Sequence, residues 1–514
     1  MFYTEAMASA VLVETQQGKL EGEQRGAHSV FRGIPYATPP VGRLRFRAPE
    51  PAEPWTGVRQ ARVYAASALQ GAAFAPGVGA EGPTSEDCLY LNVFTKAVGA
   101  AHKRAVMFFI HGGAFTVGSS SSPLYDAGRL AEQHDVVVVT INYRVGALGY
   151  LALGAAGERW GAVDNRGQLD QLEALRWVQA NIGAFGGDPG NVTIFGESAG
   201  ATAVCLLLAT PSARGLFKRA ISQSSPNALT LPSAEQAAEL TTHDFLAALD
   251  LSPDHGERLL DVSADALIAA QARVENNGRW PHFYPVADRL FGGQPRDTLL
   301  SGRGNAVPLI IGTNRDEWNL FALATLPDWE RPLEDADLLA RLVRKLPPAA
   351  GGSAAAIIET YRSSRRERAL PYGNRALLRA IEGDYRFRIP SLRFAELYRE
   401  LSPETYVYLF TYESPALRGA LGACHALELP FVFGTYDAPN QDRFAGQGDA
   451  VATLSRTMTA TWTQFAKTGE TTTEHVASWP GYDARSRATL EINVEPRLVD
   501  DAFGAERRAW DGVI

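Results

Sequence analysis

The sequence predicts an α/β fold in which a central, mostly parallel and twisted sheet is flanked by helices and carries helical cap insertions. Two observations predict it. Short apolar runs rich in Val and Ile recur between helical segments, as is typical of parallel strands buried on both faces. A Gly-x-Ser-x-Gly pentapeptide also follows one of these runs and leads directly into an apolar helical segment.

The predicted strands and the helix between two of them can be placed along the chain. Residues 168–182 have apolar side chains at helical spacing and are closed by Gly183, as is typical of a helix that ends at a glycine. Because this helix lies between the second and third apolar runs, it predicts a right-handed strand–helix–strand crossover. The runs predicted to be strands are 106–110, 136–141, 192–195, 308–311 and 406–410.

The domain organisation follows from the composition along the 514 residues. Residues 71–83 are rich in Gly, Ala and Pro, but this stretch is short and is interpreted as a surface loop, so no linker divides the chain. We expect a single domain over residues 11–514 after an N-terminal extension of residues 1–10. Residues 233–274 and 333–399 have helical spacing and are predicted to be insertions that cap the carboxyl ends of the strands.

The composition also bears on partners and location. Asp and Glu number 57 against 49 Lys and Arg, and the basic residues are scattered, so nucleic acid is not expected as a partner. Three cysteines cannot form a disulfide framework. No apolar run approaches the length of a membrane span, and the N-terminus lacks the basic region of a signal peptide. These features predict a cytoplasmic protein with no membrane partner, metal or cofactor, and a monomer with a dimer as the alternative.

The pentapeptide at residues 196–200, GESAG, points to a serine nucleophile. It follows the strand-like run 192–195 and precedes a helical segment, and a strand-to-helix turn of this kind exposes the serine at the top of a sheet. Glycines are needed on both sides because the turn is sharp and a side chain would crowd the backbone. Ser198 is therefore the candidate nucleophile.

A serine hydroxyl needs a base, and in this architecture the chain order is serine, acid, histidine. Two histidines lie beyond a plausible acid. His475 is in the polar loop TTTEH, whereas His425 lies in GACHA just before a largely apolar run, so His425 is preferred as the base. Spacing leaves three acids open, namely Asp316 and Glu317 directly after the strand-like run 308–311, and Glu413 after the run 406–410.

The loop at residues 108–115, FFIHGGAF, is the candidate for stabilising an oxyanion. It stands at the end of a predicted strand, and its small residues allow close approach to a reacting carbonyl. Two N–H groups of this loop together with that of Ala199, which follows the nucleophile, would make a hole with three donors.

Several independent motifs in one order resemble the type-B carboxylesterase and cholinesterase family of α/β-hydrolases, which includes bacterial para-nitrobenzyl esterases. The resemblance extends over nearly the whole chain. It rests on His425 and on the segments 31–37 (FRGIPYA), 44–49 (LRFRAP), 86–93 (EDCLYLNV), 185–189 (FGGDP), 196–200 (GESAG), 312–317 (GTNRDE), 431–434 (FVFG) and 462–467 (WTQFAK).

The resemblance implies an α/β-hydrolase fold and assigns the acid that spacing left open. The family's triad is serine, glutamate and histidine, which implies Glu317 rather than Asp316. It further implies that Gly113 and Ala114 act with Ala199 as oxyanion donors and that Gly112 shapes their loop. Glu197 resembles a buried family carboxylate that supports the histidine electrostatically, with a purely structural hydrogen-bonding role as the alternative.

Three departures from the family pattern bear on function. Cys88 has no cysteine upstream in residues 64–70 with which secreted relatives form a disulfide, which favours an intracellular protein. Residues 71–87 have Phe74 as their only aromatic residue and lack the tryptophan of choline-specific members, so a choline substrate is not expected. Trp318 follows the acid where the family often has glycine, which predicts a local difference in the pocket or in strand-to-helix packing.

The function predicted from these features is a serine carboxylesterase that hydrolyses small to medium acyl or aryl esters through an acyl-enzyme. A carbamate or amide hydrolase using the same residues is the alternative, because the fold does not determine the bond that is cleaved. A non-catalytic cholinesterase-like binding protein is the third hypothesis, and the intact Ser198 speaks against it.

Overall fold

Apolar segments from both ends of the chain form one large sheet in the computed structural model, which describes residues 9–73, 79–99, 101–154, 164–276, 282–325 and 331–514. Residues 1–8 of the expected N-terminal extension, and Phe74, lie outside the described residues. The strands are β1 (Ala10–Glu14), β2 (Lys19–Arg25), β3 (His28–Pro35), β4 (Val58–Gln60), β5 (Ser67–Ala68), β6 (Thr84–Ser85), β7 (Tyr90–Thr95), β8 (Arg104–Ile110), β9 (Val137–Ile141), β10 (Gly187–Glu197), β11 (Arg219–Gln223), β12 (Leu309–Asn314), β13 (Thr405–Phe410), β14 (Thr489–Ile492) and β15 (Arg497–Val499).

The order of strands in the main sheet is β1-β2-β3-β7-β9-β8-β10-β11-β12-β13-β14-β15, with β4 also paired to β2. The strands from β9 to β14 are parallel, whereas β1, β2, β3 and β7 form an antiparallel edge and β15 closes the other edge antiparallel to β14. The sheet therefore confirms the predicted mostly parallel α/β fold, and β10 lies near its centre between β8 and β11.

Helices cover both faces of the sheet. They are α1 (Gly128–His134), α2 (Gly146–Tyr150), α3 (Arg166–Asn181), α4 (Ala199–Leu208), α5 (Ala234–Ala237), α6 (His243–Ala247), α7 (Ala264–Glu275), α8 (Pro295–Leu300), α9 (Trp318–Thr325), α10 (Asp335–Lys345), α11 (Ala354–Glu367), α12 (Asn374–Gly383), α13 (Ile389–Tyr398), α14 (Leu429–Phe433), α15 (Asp442–Ala445), α16 (Asp449–Thr468) and α17 (Gly504–Arg508).

Alternate residues of the central strands belong to two different cores, as expected for strands buried on both faces. In β8, Phe108 packs with the apolar residues of α3 and α4, whereas Phe109 packs on the opposite face with Phe195 of β10 and with α16. Both faces of the sheet are thus covered by helices. A binding site is therefore expected at the carboxyl ends of the strands.

The apolar runs predicted to be strands lie in β8, β9, β10, β12 and β13, and the predicted helix lies in α3. The connection from β9 through α3 to β10 passes over β8, which lies between those two strands. The antiparallel edge was not predicted. Strand β2 has the sequence KLEGEQR, in which buried and accessible positions alternate, but it has too few apolar residues for a strand pattern to be read from it.

The two predicted insertions contain helices in the structure. Residues 233–274 include α5 and α6, joined by a π-helical segment at Ala238–Thr242, and most of α7. Residues 333–399 include α10 to α13, with a second π-helical segment at Asp384–Arg388 between α12 and α13. This second segment packs against β12, so the insertion contacts the central sheet.

The three cysteines, Cys88, Cys205 and Cys424, are free and buried. Burial raises the pKa of the Cys205 thiol to about 12 and raises the pKa values of the other two thiols well above their usual range. All three are therefore protonated packing residues at neutral pH. In the described part of the chain, none of the helices has the length and apolarity needed to cross a membrane.

Candidate active site

Ser198 lies between the end of β10 and the start of α4 in a strained backbone conformation, with φ 58° and ψ −121°. Its N–H donates to the Gln223 carbonyl at 2.8 Å, which fixes the turn to β11. A Cβ on Gly200 would lie 2.0 Å from the Ile110 carbonyl oxygen, and a Cβ on Gly196 would lie 2.6 Å from the backbone of Gly200. The turn is therefore too tight for any other residue at these two positions, and it holds the serine side chain outside the sheet.

His425 and Glu317 form a buried pair. His425 Nδ1 lies 2.6 Å from Glu317 Oε2 and donates to it, because an ionised carboxylate only accepts. The other oxygen, Glu317 Oε1, accepts from Ser224 Oγ at 2.6 Å and from the Asn314 N–H at 2.7 Å. Three donors thus fix the carboxylate, which in turn fixes the tautomer of the imidazole and leaves Nε2 as its free nitrogen.

A second carboxylate faces the free nitrogen of this imidazole. His425 Nε2 lies 3.0 Å from Glu197 Oε1, and neither atom has a hydrogen-bond partner among the described residues. Burial opposes the charged form of His425, but the carboxylates of Glu197 and Glu317 outweigh it and raise the pKa of the imidazole well above its usual value. Because Glu197 directly precedes Ser198, this contact brings the histidine to the nucleophile turn.

The alternative acids and the alternative histidine lie in other settings. Asp316 turns away from His425, accepting from the Ala423 N–H at 3.0 Å and pairing with Arg315 at 2.7 Å. Glu413 is exposed and pairs with the same arginine at 2.5 Å. His475 pairs with its neighbour Glu474 at 3.3 Å. The structure thus brings Glu317, and none of the other candidate acids, to His425.

The glycine loop after β8 packs directly against the nucleophile turn. A Cβ on Gly112 would lie 2.8 Å from Glu197 Oε2 and 3.1 Å from Ser198 Cβ, so only glycine allows this approach. Gly113 and Ala114 have φ values of 107° and 55°. In the described part of the chain, the N–H groups of these two residues donate to no acceptor. They are available to a reacting oxygen, as is the N–H of Ala199 in the first turn of α4.

Sequence reasoning missed Glu428, a third carboxylate in the site. Its two oxygens accept from Asn314 Nδ2 at 2.6 Å and from Gln223 Nε2 at 3.0 Å. Burial, together with the carboxylates of Glu197 and Glu317, raises the pKa of Glu428 to about 7. The available signal was a glutamate three residues after His425 in an otherwise apolar run.

Aromatic side chains cover the imidazole of His425. The rings of Phe387 and Phe321 lie 4.6 and 5.0 Å from it, measured between centroids. Trp318 stacks on Phe321 at 4.9 Å, and the guanidinium of Arg386 lies 4.6 Å from its ring centre. Trp318 thus extends this aromatic wall toward the insertion. Phe387 was missed because it comes from the π-helical segment of that insertion.

Together these groups can perform acyl transfer. The site combines a serine on a strained turn, an imidazole held by a buried carboxylate, and free backbone donors facing the same turn. Such a set deprotonates a hydroxyl, stabilises a tetrahedral oxyanion and protonates a leaving group.

Comparison with known proteins agrees with this chemistry. A model of the carboxylesterase family matches residues 9–510. The chain is 38% identical over 503 residues to the para-nitrobenzyl esterase of Bacillus subtilis (strain 168), covering 97% of this chain and 98% of that one. It is 34% identical to the phenmedipham hydrolase of Pseudarthrobacter oxydans, covering 95% and 96%. The crystal structure of a carboxylesterase of Geobacillus stearothermophilus is similar, with a TM-score of 0.85 and 40% identity over 97% of this chain and 99% of that one.

Proposed function

The chain belongs to the carboxylesterase family, and from this premise we propose that Ser198, His425 and Glu317 are the residues with which it hydrolyses carboxylic esters. The enzyme is a serine carboxylic ester hydrolase with the α/β-hydrolase fold. The observation that carries the residue assignment is the buried pair of His425 Nδ1 and Glu317 Oε2 at 2.6 Å, placed beside the strained turn of Ser198.

The proposed mechanism assigns a role to each of these residues. His425 Nε2 takes the proton of Ser198 Oγ as the oxygen attacks the ester carbonyl, and Glu317 stabilises the imidazolium that forms. Gly113, Ala114 and Ala199 donate to the oxyanion, and Gly112 lets their loop approach the turn. The imidazolium then protonates the leaving alkoxide. A water that His425 deprotonates next attacks the acyl carbon, the bond to Ser198 Oγ breaks, and the imidazolium returns the proton to Oγ as the carboxylic acid is released.

Glu197 is proposed to support the imidazolium through its contact with Nε2. An anion at this point stabilises the charged histidine in both halves of the reaction. The contact at 3.0 Å favours this electrostatic role over a purely structural one, since Glu197 Oε1 has no hydrogen-bond partner among the described residues.

The proposed substrates are small to medium acyl or aryl esters. The second candidate bond is a carbamate, which the similarity to a phenmedipham hydrolase favours. A screen that varies acyl length, alcohol bulk and the ester, carbamate or amide linkage on the purified protein separates these possibilities. Rapid carbamate turnover with slow ester turnover would make the carbamate, and not the ester, the preferred bond.

The finer properties of the protein are proposals as well. We propose a single domain over residues 11–514, supported by one 13-stranded sheet that contains strands from both ends of the chain, while β5 and β6 form a separate two-stranded sheet. A cytoplasmic location is supported by the three free, buried cysteines. We also propose that the protein is a monomer. The 57 acidic residues outnumber the 49 basic ones, which supports the further proposal that it binds neither nucleic acid nor membrane.

The nucleophile is tested by Ser198→Ala. Wild-type protein should release para-nitrophenol from a para-nitrophenyl acyl ester with a rapid first turnover, and the variant should lose at least about 10⁴-fold in kcat while its thermal midpoint stays near that of wild type. A folded variant that retains turnover would overturn the assignment of Ser198.

A further inference from the structure

The aromatic contact on the catalytic histidine comes from an unusual backbone segment. Phe387 is buried and packs on His425 at 4.6 Å between ring centroids. It belongs to the π-helical segment Asp384–Arg388, and such single π-helical turns occur frequently at functional sites. Something must hold this segment in place, because the wider turn is less favourable than an α-helical one.

A buried ion pair spans the π-helical segment. Arg388 Nε donates to Asp384 Oδ1 at 2.7 Å, and Arg388 Nη2 donates to Asp384 Oδ2 at 2.5 Å. The hydroxyl of Tyr361 in α11 donates to the same carboxylate. The bidentate pair joins the two ends of the segment that contains Phe387, so it fixes the geometry of that turn.

The end of the chain reaches this ion pair from the other side. We name residues 502–510 the C-terminal clasp. Arg388 Nη1 donates to the Ala502 carbonyl at 3.2 Å, and Arg388 Nη2 lies 3.8 Å from Glu506 Oε2. Trp510 is fully buried, and its Nε1 donates to Tyr361 Oη at 2.7 Å. The clasp therefore contacts both partners of Asp384.

Glu506 is the incompletely satisfied member of this cluster. Its side chain is 3% exposed, and its Oε1 has no hydrogen-bond partner in the described part of the chain. The groups that face it are Asp384 and Arg388 of the π-helical segment and Arg365 and Ser364 of α11. Burial and the carboxylate of Asp384 raise the pKa of Glu506 to about 7, although the two arginines and a hydrogen bond from Ser364 oppose them.

We propose that the C-terminal clasp is a positioning element of the active site, in which Glu506 acts through Arg388 to set the packing of Phe387 on His425. The inference rests on the proposed catalytic role of His425. When Glu506 is protonated, Asp384 is the only carboxylate that competes for the Arg388 guanidinium in this cluster, and the π-helical segment is held tightly. When Glu506 is ionised, its carboxylate, whose Oε2 lies 3.8 Å from Arg388 Nη2, competes with Asp384 for the same guanidinium, and Phe387 packs less tightly on the imidazole.

The test compares Glu506→Gln with wild type over pH 6 to 9, using para-nitrophenyl acetate. The glutamine keeps the size and the neutral state of the protonated side chain, so folding should be retained, which the thermal midpoint checks. The ratio of variant to wild-type kcat/KM should be close to one at pH 6 and rise to about threefold at pH 9. Titration of groups that Glu506 does not influence is common to both proteins and therefore cancels in this ratio. A ratio that does not change with pH would overturn the proposal.

A double-mutant cycle shows whether the effect passes through Phe387. In a Phe387→Leu background, Glu506→Gln should change the pH 9 rate by less than about 1.5-fold; a full, additive threefold change would overturn the proposed route. Glu400→Gln is the matched control, because Glu400 is exposed and pairs with Arg399 at 2.5 Å, outside the cluster.

The same measurements keep this inference separate from the proposed function. An inactive wild type, or an active Ser198→Ala protein, would defeat the assignment of the catalytic residues. An active wild type with a constant ratio would defeat the role of the C-terminal clasp alone.

Discussion

The two sides of the active site are built in different ways. The serine side, residues 108–115 and 192–200, is held by backbone contacts so close that a Cβ on Gly200 would lie 2.0 Å from a carbonyl oxygen. The histidine side, comprising His425, Glu317, Glu428, Phe321 and Phe387, is held by side chains from distant segments, and His425 and Glu317 are 108 residues apart in the chain. Steric exclusion shapes the first side, and buried charges and rings shape the second.

This difference has a consequence for variants. On the serine side, an added methyl group should disturb the site because nothing can move away from it. On the histidine side, isosteric changes of charge should matter most, because removing one buried partner leaves the others uncompensated.

The largest effect is expected for the acid of the histidine side. Glu317→Gln should lower kcat by about 10⁴-fold, as expected when the group that fixes the imidazole tautomer is lost. Steady-state kinetics with para-nitrophenyl acetate measure it. Asp316→Asn is the matched control and should cost less than about tenfold, since the amide oxygen can still accept from the Ala423 N–H. The opposite ranking would refute Glu317 as the acid.

A smaller but still large effect is expected on the serine side. Gly112→Ala places a methyl group 2.8 Å from Glu197 Oε2 and 3.1 Å from Ser198 Cβ, which should displace the proposed oxyanion donors. We expect a loss of about 10²- to 10³-fold in kcat with little change in KM. Gly183→Ala is the control, because nothing lies within 4 Å of its added Cβ. Equal activity of the two variants would show that the close approach is not required.

The smallest effect on rate, with a shift in pH dependence, is expected for the carboxylate that links the two sides. Glu197→Gln removes an anion 3.0 Å from His425 Nε2, so the pKa of His425 should fall. The neutral base then persists to lower pH, and the acid limb of kcat/KM should move down by about one unit while the maximal rate falls about tenfold. Glu413 is exposed, so Glu413→Gln is the control and should not move the acid limb of kcat/KM. An unmoved limb in Glu197→Gln would mean that this carboxylate is structural.

The same contrast explains what could be predicted from the sequence. Ser198, the five central strands and the oxyanion loop follow local rules, because glycine spacing and apolar runs report on the backbone of the same segment. Glu317 needed the family resemblance, since Asp316 is its direct neighbour and spacing cannot tell which of the two turns inward. Glu428 and Phe387 were missed because their roles depend on contacts between segments that no local pattern connects.

The antiparallel edge and the two π-helical segments were also outside the reach of pattern reasoning. Charged residues on the accessible face of β2 weaken its alternation, and a π-helical turn has the same helical spacing as its neighbours. The C-terminal clasp shows the same limit, because nothing in residues 502–510 indicates that Glu506 will be buried against Arg388.

The burial of all three cysteines makes the wild-type chain a ready background for site-directed labelling. A maleimide reacts with thiolates at an accessible surface, and Cys88, Cys205 and Cys424 offer neither an accessible sulfur nor a low pKa. A single cysteine introduced at Leu417, which is 61% exposed on the loop leading to His425, would carry a fluorophore without prior removal of native thiols. Movement of the loop that carries His425 during turnover then becomes an optical signal.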